Sequence, residues 1–125
     1  MSDKGESGRA VLAEVMGQAY VDARQASITD FNRPLRTFID ENCFGDVWTR
    51  PGLERKTRSL ILISTLIALN RPTQVEAHVQ SAINNGATVG EIQEVLYQTI
   101  AYCGLPAAAD GFRVAEAVLR KMGKL

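Results

Sequence analysis

Residues 60–69 read LILISTLIAL, the most apolar run of the chain. A membrane span needs roughly 20 apolar residues, and this run has half that. It is too short to cross a bilayer and too apolar to lie in water, so protein must enclose it. Strand and helix both compete for such a run. Its length and the helix-forming lead-in GLERKTRS favour helix. A helix that is apolar on every side is buried among others. The feature therefore points to an all-α fold, and the rest of the chain agrees.

Val11, Leu12, Val15, Met16, Ala19 and Tyr20 recur at helical spacing, predicting a helix from Ala10 to about Ala26. Residues 1–9 are rich in Gly, Ser and charge and read as a flexible tail. Asp30 is a candidate N-cap for a helix carrying Leu35, Phe38 and Ile39 and ending near Asn42. The stretch CFGDVWTRPGLERKTR reads as a structured connection entering the apolar helix at about Leu53. Pro72 ends that helix. Thr73 and Glu76 have the spacing of a capping box, as do Thr88 and Glu91. Asn85-Gly86 stops one helix and Gly104-Leu105-Pro106 the next. A last helix runs from Ala107 to Met122, with Phe112, Ala115, Val118 and Leu119 inward. No segment alternates with period two. The expectation is one compact domain of about six helices over residues 10–125.

Several functions are disfavoured at once. Fourteen basic and fourteen acidic residues cancel, whereas a general nucleic-acid binder presents a basic face. Cys43 and Cys103 form no CxxC and no metal-ligand spacing. No metal is expected. The polar N-terminus lacks a signal-peptide core, so the chain reads as cytoplasmic, with no membrane partner.

His78, the single histidine, follows Val75 by three residues and precedes Ala82 by four. It therefore points with the apolar stripe of its helix. Two readings compete: a core imidazole fixed by a hydrogen bond, and a proton donor and acceptor. Spacing alone favours the first. Glu76 has a structural reading as a capping residue. Arg50, Arg55, Lys56, Arg58 and Arg71 bracket the apolar helix. Guanidinium forks suit carboxylates, while salt bridges to the chain's own acids are the plainer alternative. Arg50 lies beside Trp48 in irregular chain, where binding residues concentrate. Tyr102 precedes a helix break, where its hydroxyl has room to reach a pocket.

Three long stretches carry a resemblance: FGDVWTRPGLERKTRS, EAHVQSAINNG and AYCGLPAA. Together with Gly17 to Asp22 they resemble the carboxymuconolactone decarboxylase family, over roughly residues 10 to 120. The resemblance implies an all-helical fold and a homo-oligomer, trimer or hexamer. One branch of that family is a thiol-redox branch with C-x-x-C-x-x-x-H and an upstream glutamate. Here Arg71 and Gln74 stand where those cysteines would be, and Ser59 where the glutamate would be, so that chemistry has no groups to run on. The other branch releases carbon dioxide from 4-carboxymuconolactone, without cofactor, in protocatechuate breakdown. WTRPGL, KTRS and YCGLPAA resemble this branch.

In a carboxylated unsaturated lactone the electrons left by carbon dioxide can delocalise onto the lactone oxygen. Such a reaction needs cations for the carboxylates, a donor for the developing oxyanion and an acid for carbon. If that reaction is run here, His78 is the candidate for the acid or oxyanion-donor role. Arg58, Arg50 and Arg71 are the candidate carboxylate clamps, with Trp48 and Tyr102 as pocket walls. Glu76 or Glu54 would supply a counter-charge to the imidazole. A family member acting on another carboxylated lactone, or a helical assembly protein without activity, remains the alternative.

Overall fold

The computed structural model describes residues 2–125 and is helical throughout. In chain order the helices are α1 (Asp3–Met16), α2 (Gln18–Ala26), α3 (Arg33–Phe38), a π-helical segment (Ile39–Val47), α4 (Arg55–Ala68), α5 (Pro72–Asn84), α6 (Val89–Cys103) and α7 (Leu105–Lys121). They gather into two compact units, residues 1–54 and 55–125. The all-α expectation holds, with shorter and more numerous helices than the spacing suggested.

In the first unit the helix starts at Asp3, inside the segment expected to be a flexible tail. Ser2 caps it, accepting from the Gly5 amide, and Asp3 and Glu6 lie in the first turn, where acids oppose the helix dipole. The helix expected over 10–26 is two helices. Gly17, at φ +90°, breaks it, a conformation that costs glycine little. Asp30 is not the cap of α3. Thr29 and Asn32 instead exchange amide-to-side-chain bonds of 2.8 and 3.2 Å, while Asp30 pairs with Arg33.

The helical path then continues past Asn42 as the π-helical segment, which presses on α1. Gly8 makes this possible: a Cβ there would stand 1.6 Å from the Asp40 carbonyl oxygen. Asp40 is buried and accepts from Arg24 Nη2 at 2.7 Å. Phe44 and Trp48 stack at 5.8 Å and are buried together.

In the second unit α4 begins at Arg55, two residues after the expected start. It pairs with α5 and α6, and α7 packs on α5 and α6. The core gathers Ile63, Ile67, Val75, Val79, Ile92, Leu96, Ala115 and Leu119. Gly111 lets α7 approach, since a Cβ there would meet Ile67 Cδ1 at 2.9 Å. Pro72 does not merely end α4; it opens α5, following Arg71 at the N-cap. Asn70 takes up the reversal at φ 56°. The Thr73–Glu76 capping box does not form, because the helix has already begun at Pro72. The Thr88–Glu91 box does form, with bonds of 2.9 and 3.0 Å. Asn85 and Gly86 end α5, and Gly104 separates α6 from α7.

Candidate functional site

Four residues to a turn place His78, Ser81 and Asn85 on one flank of α5, beside the buried stripe of Val75, Val79 and Ala82. That flank faces α4. Asn85 Nδ2 donates to Ser59 Oγ at 2.9 Å and approaches Ser81 Oγ at 3.3 Å. Ser59 and Ser81 are both fully enclosed. These bonds fix the antiparallel register of the two helices. Seven residues earlier on α5, His78 stands about 10 Å along the axis from Asn85.

His78 is half-buried, and its Nδ1 is buried with no hydrogen-bond partner among the described residues. Burial pushes its pKa below the ordinary value of 6.5. The imidazole is therefore neutral near pH 7, keeping one N–H donor and one acceptor nitrogen. The structural reading of His78 required a satisfied ring; this ring leaves a buried nitrogen unmet, which is uncommon in native proteins.

Arg58 lies in the first turn and a half of α4, one residue before Ser59, and is half-buried. Its helix begins with Arg55, Lys56 and Arg58 and has no acid in the first turn. Cations there add to the positive end of the dipole, against the usual preference. Lys56 is answered by Glu91 of α6 at 3.2 Å. Hydrogen bonds from the Thr88 backbone, then Lys56, lower the Glu91 pKa.

Two of the other expected residues of the second unit lie elsewhere on these helices. Arg71 stands past the far end of α4, about 20 Å along the axis from Arg58. It lines a recess of about 10 Å³, too small for a ligand, with Asp110 and Gly111. Glu76 projects from the opposite side of α5 to His78, about 200° around the axis. It lines a cleft of about 530 Å³ with Gln80, Arg113 and Lys121. Tyr102 is 82% exposed and walls no described cleft. Arg50 and Trp48 belong to the first unit, where Trp48 is buried against Phe44. Cys43 and Cys103 are free thiols. Among the described residues no three His, Cys, Asp or Glu side chains are placed to hold a metal ion. No helix is long and apolar enough to cross a membrane.

The sequence reading missed Ser81 and Asn85. Asn85 had been assigned only a stop, although both lie at i+3 and i+7 from His78, the spacing that would have revealed them.

The family model described as the carboxymuconolactone decarboxylase family matches residues 33–117. A 4-carboxymuconolactone decarboxylase of Acinetobacter baylyi is 37% identical over 118 residues, covering 94% of this chain and 88% of that protein. A nitrosuccinic acid decarboxylase of Metarhizium robertsii is 35% identical over 117 residues, covering 94% and 82%. With the family model spanning α3 to α7 and both relatives aligned along nearly the whole chain, this protein belongs to the carboxymuconolactone decarboxylase family.

Proposed function

We propose that this protein is a 4-carboxymuconolactone decarboxylase, a carboxy-lyase working as a cytoplasmic homo-oligomer in aromatic-acid breakdown. The observation that carries the site assignment is His78: a half-buried imidazole with an unmet nitrogen on α5, the helix paired with α4. Similarity to two decarboxylases along nearly the whole chain supports the reaction class.

The chemistry runs on this chain's own groups. Arg58 holds a substrate carboxylate through its planar fork. A dicarboxylated ligand brings negative charge to His78, opposing the effect of burial and drawing a proton onto the ring. The carbon–carboxylate bond breaks, carbon dioxide leaves, and its electron pair passes through the conjugated system to the lactone oxygen. An N–H of His78 donates to that oxyanion, whose charge is best stabilised by a preorganised donor. The ring proton then passes to carbon, giving the enol-lactone and neutral His78. One proton is taken from solvent per turnover. Arg50 remains a candidate for the second carboxylate, Trp48 and Tyr102 for contacts to the ligand body, whereas Arg71, about 20 Å from Arg58 along the axis, is too far to share one small ligand with it. The position of Glu76 speaks against a role beside His78.

The relation to a nitrosuccinic acid decarboxylase favours a second reading. Nitrosuccinate also carries two carboxylates, and its nitro oxygens can accept the electron pair left by carbon dioxide. Carbon dioxide release should be followed with both acids and no added metal. Turnover of the lactone well above its spontaneous rate is expected. Release from nitrosuccinate alone would transfer the activity to the second reading, and release from neither would remove both. His78→Ala should lower lactone turnover at least about 100-fold, the contribution of a positioned acid. An unchanged rate would return His78 to the core.

A further inference from the structure

A second cationic site lies wholly within the first unit. α1, α2, α3 and the π-helical segment enclose a cleft of about 330 Å³. Its polar lining is Arg24, Arg36, Ser27 and Tyr20; Leu12 and Phe44 supply apolar wall. Arg24 is only 7% exposed. Its Nη2 donates to Asp40 Oδ1 at 2.7 Å and to the Arg36 carbonyl at 3.2 Å. Asp40 also faces Arg9, whose Nε lies 3.8 Å from Oδ2, too far for a hydrogen bond, and is buried without one. Among the described residues Arg36 bonds neutral oxygens, the Arg24 carbonyl at 3.4 Å and Ser27 Oγ at 3.2 Å.

Asp40 thus pairs with Arg24 and faces Arg9, while Arg36, partly buried in the cleft wall, bonds no carboxylate among the described residues. A partly desolvated guanidinium without a carboxylate favours an anion beside it. Long bonds to neutral oxygens leave Arg36 with donors to spare, since a guanidinium carries five N–H groups. The cleft also draws Ile39 and Phe44 from a π-helical segment, an irregularity frequent at functional sites. Planar forks on one side and aliphatic and aromatic wall on the other suit a planar anion with an apolar body.

We propose that this cleft binds a small carboxylate whose body is flat and apolar. The site is built from residues of the first unit alone and stands whether or not the decarboxylase reading holds.

Benzoate is a suitable probe, titrated into the full-length protein and followed by amide NMR shifts. Saturable shifts at Tyr20, Ser27 and Arg36 are expected. Benzamide, matched in shape but neutral, should produce none. Arg36→Ala should weaken benzoate roughly tenfold or more, the scale of a lost charge-assisted contact. Arg58→Ala should leave the affinity unchanged. Arg36 carries no buried ion pair, so its variant should fold; Arg24→Gln is less safe because it strands Asp40. Absence of saturation, equal response to benzamide, or binding that follows Arg58 and ignores Arg36 would each overturn the proposal.

Discussion

A single nitrogen distinguishes His78 from the rest of its helix face. Val75 and Val79 are apolar and enclosed, and Ser81 is bonded, but His78 Nδ1 is buried and unmet. Its titration has a consequence for folding. In the unfolded chain the ring takes up a proton near its ordinary pKa of about 6.5. In the folded chain burial holds that pKa lower. Between the two values the unfolded state binds more protons, so stability falls as pH drops below about 6.5. Above about 6.5 both states hold neutral imidazole and the contribution is fully present. His78→Asn removes it. Urea midpoints of the variant should therefore decline less than wild type between about pH 6.5 and pH 5. Parallel curves would mean that the ring is not desolvated in the folded state. Histidine spacing showed that the ring points with the core stripe. It could not show that no group meets it, because that depends on α4, whose register is set by a bond 26 residues apart in sequence.

At the scale of elements, the helices legible in sequence are those whose boundary signals are local. Thr88 and Glu91 form their capping box within one turn, and Gly104 breaks the chain where it stands. Thr73 and Glu76 have the same spacing, but Pro72 had already started that helix at the preceding position. The π-helical segment left no pattern to read, since it follows from packing against α1. That contact is testable at Gly8. The helix tolerates alanine better than glycine by roughly 1 kcal/mol, so Gly8→Ala would stabilise an open site. Here the added methyl would overlap the Asp40 carbonyl. The variant should instead lose about 1–3 kcal/mol, the cost of overpacking a filled contact. Gly90→Ala is the matched control, because its nearest neighbour is Thr88 Oγ1 at 3.8 Å. Its urea midpoint should hold or rise. A Gly8→Ala midpoint equal to wild type would remove the close crossing of α1 and the π-helical segment.

For the whole molecule, the opening feature is only partly enclosed by its own chain. Ile63 and Ile67 of α4 are buried, yet Ile61 and Leu69 are exposed. A larger exposed apolar group surrounds α3: Phe31, in the turn before it, is 96% exposed, Leu35 58% and Phe38 60%. Leu35 and Phe38, three residues apart, share one face of that helix. Isolated surface hydrophobes are ordinary, but a group of this size marks an interaction surface. Homo-oligomers repeat one patch on every subunit, so a self-complementary apolar group serves each copy. Light scattering should give a mass several times the 13.7 kDa of one chain. Phe31→Ser together with Phe38→Ser should shift that mass downward while leaving the helical circular dichroism intact, since neither ring belongs to the core. A wild-type mass of one chain would contradict assembly. An oligomer untouched by the double substitution would move the interface from α3 to the exposed side of α4, where Ile61→Ser should then dissociate it.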